Sequence, residues 1–188
     1  VYGLAHTVRF VPTNRKKPDY KPEGFDEFKS WGYSLAKGPF TDTIKKGDMI
    51  VIDGNDIGTV GFIGSNNGFS WIAAGAVGVV TNGGCRDTDE LIKQKVPVYS
   101  ARIARGIRPG RLEWDAENIP IACGGVRVFP GDVIVADGDG AIVVPREQAE
   151  TVAQIARGIA LGDKKGRRKK FEEAGIAPDF TLELSAAA

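Results

Sequence analysis

The sequence has few of the residues from which thiol, imidazole and zinc chemistry are built. Its 188 residues include two cysteines, Cys85 and Cys123, and one histidine, His6. Neither cysteine belongs to a CxxC pair, so no zinc-type cluster is predicted. We expect two free, partly buried thiols, with a disulfide between them as the less favoured alternative. His6 lies in a predicted strand, and a single histidine gives little support for a His-activated nucleophile.

Strong net charge and long apolar runs are also lacking. The formal net charge is +1, so no global field favours nucleic acid or a membrane surface. No apolar run approaches the roughly 20 residues of a membrane-spanning helix, and no secretory signal is visible. We therefore expect a cytoplasmic protein that binds neither nucleic acid nor membrane. The printed chain has no initiator Met and begins on a predicted strand, so we expect it to start inside a longer protein.

Motifs for nucleotides and for Schiff-base chemistry are missing as well. No Walker motif is present and no G-x-G-x-x-G follows a strand, so nucleotide binding is unsupported. Every lysine lies in a polar or charged context, which disfavours a Schiff-base mechanism. Three charged stretches are better explained by local structure than by a binding site. Asp53–Asp56 and Asp137–Gly140 are predicted to be turns rather than metal sites. Lys164–Lys170 is predicted to be a solvated helix end rather than an RNA site.

The remaining composition is that of a globular protein, with 42% hydrophobic and 26% charged residues. A chain of this length can bury a full core. The pattern predicts one α/β domain over residues 1–188, in which strands and helices mix without regular βαβ alternation, and a C-terminal helical extension over 146–175. Predicted strands are 3–11, 48–53, 78–81, 97–100 and several hairpins within 119–145; predicted helices are 25–29, 67–76, 87–94 and 146–170. Residues 12–39 are otherwise expected to form a long excursion.

The most informative segment is Gly64 to Asp87, which reads GSNNGFSWIAAGAVGVVTNGGCRD. It indicates a glycine turn, a short helix with Phe69, Ile72, Ala73 and Ala76 on one face, a buried strand and a second glycine turn. If the helix begins near Asn67, the free amides of Ser65, Asn66 and Asn67 point into the space before it. Such amides and the helix dipole favour an anion, for example a carboxylate. A plain helix capped by Ser65 or Asn66 is the alternative that these residues leave open.

Arg86 and Asp87 follow the second glycine turn. Residues beyond the end of a strand commonly lie at the mouth of a site. Arg86 can bind a carboxylate through two nitrogens, and Asp87 can hold one position on Mg²⁺ or Mn²⁺. A helix N-cap beside a surface arginine is the alternative. Together the parts suit stabilisation of an enolate, as in retro-aldol cleavage or β-decarboxylation of a 2-oxo acid.

The sequence resembles the RraA-like family, which includes regulators of ribonuclease activity and 4-hydroxy-4-methyl-2-oxoglutarate aldolases. The resemblance covers about residues 3–145. It rests on GLAHTVRF, GDMIVID, AGAVGVVTNGGCRD, PVY and IACGGVRVFPGDVIVADGDGAIVVP. It implies a β-β-α sandwich of the swivelling-domain type, assembled as homotrimers or hexamers with sites at subunit boundaries. An N-terminal segment typical of the family is missing from the printed chain.

The resemblance also implies roles for individual residues. Arg86 matches the catalytic arginine that binds substrate and stabilises the enolate, and Asp87 matches the metal-ligating aspartate. Asn66 and Asn67 match the positions whose amides hold the pyruvate carboxylate, next to Gly64 and Ser65. Glu90 fits an acidic position that supports the metal indirectly.

One position departs from the aldolase pattern. Where the aldolases carry an acidic residue directly after the glycine, this chain has Ser65. The segment Arg105–Asp115 is rich in arginine, which suits a different or larger anionic substrate. We therefore expect a metal-dependent lyase acting on a small 2-oxo acid. The alternative is a non-catalytic regulator that binds an RNA-degrading enzyme through its oligomer surface.

Overall fold

A computed structural model describes residues 1–19, 22–36 and 40–183, so the parts of the predicted excursion at 20–21 and 37–39 lie outside the described residues. The chain forms two compact units, one from Val1 to Pro145 and one beginning at Arg146. The helices are α1 (Phe25–Leu35), α2 (Ser65–Ala73), α3 (Thr88–Lys93) and α4 (Ala149–Glu173). The strands are β1 (Tyr2–Pro12), β2 (Asp48–Asp53), β3 (Gly61–Ile63), β4 (Gly78–Cys85), β5 (Val98–Ile103), β6 (Leu112–Glu117), β7 (Ile121–Cys123), β8 (Val126–Val128), β9 (Val133–Asp137) and β10 (Gly140–Val144).

The first unit is built on a mixed sheet in the order β10-β9-β1-β2-β4-β3. Strand β5 pairs with β4 and β6 pairs with β1, which makes eight strands, while β7 and β8 form a separate two-stranded sheet. Four pairs of strands are parallel: β1 with β2, β2 with β4, β3 with β4, and β4 with β5. Three pairs are antiparallel: β1 with β6, β1 with β9, and β9 with β10. The mixed α/β architecture predicted from the sequence is confirmed.

Strand β2 is buried on both faces, which explains its unbroken apolar run. Ile50 and Ile52 face a cluster that includes Trp71. Met49 and Val51 face a second cluster, to which the small β7-β8 sheet contributes three residues: Ile121, Cys123 and Val128. The large sheet therefore lies between a helical layer and a second, smaller sheet, as in a β-β-α sandwich.

Helix α2 begins two residues earlier than predicted and ends three residues earlier. It covers Ser65–Ala73 instead of 67–76, with Gly64 as its N-cap. The amide of Gly68 donates to the carbonyl of Gly64 at 2.9 Å, which closes the first turn. Gly75, at φ +114°, lies in the left-handed region that ends helices.

The apolar face predicted for α2 is confirmed only in part, because Ile72 packs against the core and Phe69 does not. Phe69 is 61% exposed, whereas Trp71 is fully buried and stacks on Phe40 at 5.2 Å. Gly68 also lies on the buried side, where an added Cβ would be 2.9 Å from Leu91. The buried face of α2 is determined by its largest apolar side chain, Trp71, and by the close contact of Gly68 with Leu91. The number of apolar residues on a face does not determine it.

Two further boundaries differ from the prediction. Helix α1 begins at Phe25 as expected but extends to Leu35. Strand β4 runs to Cys85, so the Gly83-Gly84 pair predicted as a turn lies in the strand. Both glycines allow close approach, because a Cβ on Gly83 would collide with Phe62 and one on Gly84 would be 2.5 Å from Ala104.

The two cysteines are free and buried, as predicted. His6 is 3% exposed and lies between two carboxylates, with its Nδ1 3.4 Å from Asp48 Oδ2 and its Nε2 3.6 Å from Glu117 Oε2.

In the second unit, α4 is followed by a short turn capped by Asp179, whose carboxylate accepts from the Thr181 amide at 2.9 Å. None of the helices in the described ranges is long and apolar enough to cross a membrane.

Candidate functional site

A cavity of about 400 Å³ opens beside the N-terminus of α2. It is lined by four parts of the first unit: the strand β3 with the turn after it, the Arg86-Asp87 pair, helix α1 and the loop 107–109. The lining residues are Phe25, Phe28, Lys29, Gly32, Tyr33, Ala36, Gly61, Phe62, Gly64, Asn66, Asn67, Arg86, Asp87, Ile107, Arg108 and Pro109. Five of the predicted site residues, from two separate stretches of sequence, thus share one space.

The end of β4 brings Arg86 and Asp87 to the cavity. The amide of Arg86 donates to the carbonyl of Ile63 at 2.9 Å, which ties the pair to the end of β3. Asp87 has φ +55°, a left-handed conformation that aspartate tolerates better than most residues. The side chains are about 43% and 41% exposed, and Arg86 Nε lies 4.0 Å from Asp87 Oδ2. Both charged groups are therefore open to a ligand.

Asp87 also holds the start of α2. Its Oδ2 accepts a hydrogen bond from the amide of Ser65 at 3.1 Å. Gly64 provides no side-chain cap, so a carboxylate from another part of the chain takes the first amide of the helix. The amides of Asn66 and Asn67 belong to the same first turn, which has no intrahelical acceptors. The predicted cap is wrong in its helix: Asp87 stands before α3 but makes no side-chain cap bond there, and its carboxylate caps α2 instead. A position at the cavity also leaves it available as a site carboxylate.

Gly64 is required here for space rather than for conformation. Its φ is −128°, which any residue adopts. An added Cβ would collide with Asp87 Oδ2 and lie 3.4 Å from Arg86 Nε. Glycine at this position therefore lets the turn come into contact with the charged pair.

Two predicted site residues are placed differently. Ser65 does not line the cavity, although its amide bonds Asp87. Glu90 also does not line it; its side chain is exposed and its amide donates to the carbonyl of Asp87 at 3.1 Å. The support for a metal expected from Glu90 stays a prediction.

Arg108 lines the cavity and was not singled out from the sequence. The signal was the arginine-rich segment 105–115, but the other two arginines of that segment, Arg105 and Arg111, are exposed and do not line the cavity. The pKa of Arg108 is lowered to about 10, mainly by burial and secondly by the charge of Arg86, while Tyr33 opposes the shift. Among the described lining residues the cations are Lys29, Arg86 and Arg108, and the anion is Asp87. The cavity therefore carries excess positive charge and suits an anionic ligand.

Comparisons with known proteins identify the family of the chain. The sequence profile of the RraA-like family, described as Aldolase/RraA, matches residues 1–143. A protein of Halalkalibacterium halodurans named "Putative 4-hydroxy-4-methyl-2-oxoglutarate aldolase" is 34% identical over 124 residues, which is 65% of this chain and 58% of that protein. Protein DlpA of Legionella pneumophila is 24% identical over 183 residues, covering 97% of this chain and 26% of that protein. The chain thus spans about a quarter to three fifths of the length of these relatives.

A solved structure shows the same fold. RraAS2 of Streptomyces coelicolor, described as an unusual member of the RNase ES inhibitor RraA protein family, superposes with a TM-score of 0.69 at 25% identity. The match covers 89% of this chain and 76% of the other. Because the family profile spans well over half of its residues and its fold is that of RraA proteins, the chain belongs to the RraA-like family.

Proposed function

We propose that the chain is a lyase that breaks the C3–C4 bond of a small 2-oxo acid and leaves a pyruvate-type enolate. The observation that carries this proposal is the shared cavity of the Gly64–Asn67 turn, Arg86 and Asp87. The aldolase names of several relatives support the reaction class. Retro-aldol cleavage and oxaloacetate-type decarboxylation both pass through this enolate.

The substrate carboxylate is placed at the first turn of α2. The free amides of Asn66 and Asn67, together with the helix dipole, favour an anion there. Arg86 lies close enough to the turn to contact the adjacent 2-oxo group, since its Nε would be 3.4 Å from a Cβ on Gly64. A guanidinium at this point stabilises negative charge as it forms on the keto oxygen.

A divalent cation, Mg²⁺ or Mn²⁺, fits Asp87 as a site with one protein carboxylate. The described residues contain no cluster of three or more His, Cys, Asp or Glu side chains suited to a metal, so a closed protein cage is not expected. Magnesium is commonly held by one or two carboxylates, with water and substrate oxygens completing its shell. When bound, such a cation withdraws electron density from the 2-oxo group. Asp87 Oδ2 is oriented by the Ser65 amide, which leaves the other carboxylate oxygen for the cation.

Electron flow favours decarboxylation as the simpler reaction for these residues. When the C3–C4 bond breaks, its electron pair forms the C2–C3 double bond, the keto oxygen gains negative charge beside Arg86, and CO₂ leaves. A proton from water at C3 then gives pyruvate. Retro-aldol cleavage needs, in addition, a base for the C4 hydroxyl proton. Asp87 is the one carboxylate among the described lining residues, and it is already assigned to the metal.

The protein is also proposed to work as a homotrimer or hexamer. Three large apolar side chains on the surface of the first unit support association: Phe69 is 61% exposed, and Ile92 and Ile103 are each 74% exposed. Light scattering coupled to size-exclusion chromatography measures the assembly directly. A strictly monomeric protein at micromolar concentration contradicts this part of the proposal.

Pyruvate release tests the reaction. Oxaloacetate and 4-hydroxy-4-methyl-2-oxoglutarate are incubated with the protein in Mg²⁺, in Mn²⁺ and in chelator. We expect metal-dependent release from at least one substrate, and losses of roughly 10²-fold or more in Arg86→Ala and Asp87→Ala. Arg105→Ala, an exposed arginine that does not line the cavity, is the matched control. Full turnover in chelator rejects the metal, and unchanged rates in both site variants reject the site.

A second candidate function is suggested by the solved relative. RraAS2 is described as belonging to a family of RNase inhibitors. If no 2-oxo acid yields pyruvate above the uncatalysed rate, a regulator that binds an RNA-degrading enzyme through its oligomer surface becomes the better description.

A further inference from the structure

One face of helix α1 lines the cavity along the whole length of the helix. The lining residues of α1 and its C-cap are three or four positions apart, which is the spacing of a single helical face. They are Phe25, Phe28, Lys29, Gly32, Tyr33 and Ala36. Three of them are aromatic, so α1 brings three rings to the space that also holds the Gly64–Asn67 turn and Arg86.

Close contacts hold α1 in this position. An added Cβ on Gly32 would be 3.1 Å from the Cγ of Pro109, so the helix lies directly on the loop 107–109. The next residue of that loop, Gly110, approaches Trp31 of α1, since a Cβ there would be 3.5 Å from the indole ring. The aromatic side chains of α1 therefore extend from a backbone that is anchored beside the cavity.

The three rings differ in the contacts they already make. The ring centre of Phe28 is 5.7 Å from that of Trp31, and Lys17 Nζ lies 5.9 Å from the Phe28 ring centre. Phe25 and Tyr33 have more free surface, because they are 53% and 59% exposed. Apolar surface of this kind gains free energy when an apolar group of a ligand removes it from water. The α1 face therefore suits a ring.

The same part of the cavity offers little to a second carboxylate. Among the described lining residues outside the turn and Arg86, the cations are Lys29 and Arg108. Lys29 is exposed, and an ion pair in water contributes little. The guanidinium of Arg108 lies against the core, with its Cζ 5.1 Å from the ring centre of Phe10 and its Nη1 completely buried. The group that lies against α1 is therefore expected to be uncharged.

We propose that the α1 face, together with Ile107 and Pro109, binds an aromatic ring of the substrate, while the Gly64–Asn67 turn and Arg86 hold its carboxylate. The ligand class is a 2-oxo acid whose side chain ends in an aryl group. Such a molecule has a single carboxylate, in contrast to the 4-hydroxy-4-methyl-2-oxoglutarate in the names of several relatives. A cavity of about 400 Å³ has room for it. This inference rests on the proposed function for the placement of the carboxylate.

Three ligands that differ in one substituent test the inference through binding alone. 4-Phenyl-2-oxobutanoate, 2-oxopentanoate and 2-oxoglutarate carry a phenyl, a methyl and a carboxylate group on the same carbon, C4. None has a C4 hydroxyl or a carboxylate on C3, so neither proposed reaction can cleave them. Calorimetric titration in Mg²⁺ gives the dissociation constants. We expect the phenyl ligand to bind roughly tenfold or more tighter than the methyl ligand, and the carboxylate ligand to bind no tighter than the methyl ligand.

Variants assign the preference to the aromatic side chains. Phe25→Ala and Tyr33→Ala each remove one ring, and the double variant removes both. We expect the preference for the phenyl ligand over 2-oxopentanoate to fall in each single variant and to be largely lost in the double variant, with 2-oxopentanoate bound nearly as before. Tyr33→Phe keeps the ring and should keep the preference. Phe180→Ala, which removes an exposed ring in the second unit, is the control. Far-ultraviolet circular dichroism checks that each variant is folded.

Four results overturn the inference: a phenyl ligand that binds no tighter than 2-oxopentanoate, tightest binding of 2-oxoglutarate, an unchanged preference in the double variant, or an equal loss of all three ligands in that variant. Pyruvate release from oxaloacetate, measured on the same samples, separates this inference from the proposed function. If release is absent but the phenyl preference depends on Phe25 and Tyr33, the lyase proposal fails and the aromatic site stands. If release depends on Arg86 but no phenyl preference is found, the lyase proposal stands and this inference fails.

Discussion

The carboxylate of Asp87 caps a helix that begins 22 residues earlier in the chain, because its Oδ2 accepts a hydrogen bond from the amide of Ser65 at 3.1 Å. The same side chain lines the cavity beside Arg86. One group thus joins the stability of α2 to the chemistry proposed for the site. Its two roles can be separated by choosing substitutions that remove one property at a time.

Asp87→Asn and Asp87→Ala should differ in stability but not in activity. Asparagine tolerates the left-handed backbone and keeps an oxygen for the Ser65 amide, whereas alanine keeps neither advantage. We expect Asp87→Ala to lower the free energy of unfolding by about 1 kcal/mol and Asp87→Asn to lower it less. Both should lose metal-dependent pyruvate release, since neither offers a carboxylate. Urea denaturation and the release assay measure the two effects, and equal stability of the two variants contradicts the capping role.

Gly64→Ala should damage the site without a change in its charges. The new Cβ would collide with Asp87 Oδ2, so the carboxylate must move away from the Ser65 amide. We expect a fall in pyruvate release of roughly tenfold or more, since small displacements of a preorganised group are costly. Gly138→Ala is the matched control, because a Cβ there meets nothing within 4 Å. Normal release by Gly64→Ala would show that close contact at this point is unimportant.

The sequence allowed the elements around the site to be predicted because their signals are local. Alternation, glycine turns and the run DMIVID indicated β1 and β2, and the order of turn, helix, strand and Arg86-Asp87 placed those residues near each other. The exact start of α2 was missed because its cap comes from Asp87 in a later part of the chain. A rule that looks for a Ser or Asn cap within the helix's own sequence has no access to this contact.

Arg108 was missed for a similar reason. Its place in the cavity depends on the pairing of Gly106 with Val60 and Gly61, about 45 positions earlier, and on the packing of Pro109 against α1. Composition marked the segment as rich in arginine, but only the folded chain shows which arginine is desolvated. The chemical roles of Arg86 and Asp87 stay predictions until activity is measured.

Stability should decrease at alkaline pH through Cys123. Burial is the main cause that raises the pKa of this thiol from 9.0 to about 11. Between these values the unfolded chain releases the thiol proton while the folded chain retains it, so the free energy of unfolding falls as pH rises. Below pH 9 the thiol is protonated in both states and has no such effect. We expect Cys123→Ala to be less stable near neutral pH, owing to lost packing, but to lose less stability from pH 9 to 11.

Thermal or urea unfolding of both proteins across this range measures the effect. The comparison cancels the contribution of Arg108, whose pKa of about 10 lies in the same range. Cys85→Ala serves as the control for a second buried cysteine. Parallel stability curves for the unmodified protein and Cys123→Ala would contradict the assignment.

Arg108→Met should make the unliganded protein more stable, in contrast to the usual effect of removing a partly buried side chain. The pKa of Arg108 is lowered mainly because burial disfavours its charge, so the protonated group opposes folding at every pH below about 10. Methionine occupies similar space beside Phe10 without that charge. Replacing buried charged groups by apolar ones is often stabilising by about 1 kcal/mol or more. Thermal unfolding without ligand should show a higher midpoint for Arg108→Met than for Arg105→Met, and a midpoint several degrees lower would indicate that the guanidinium is structural.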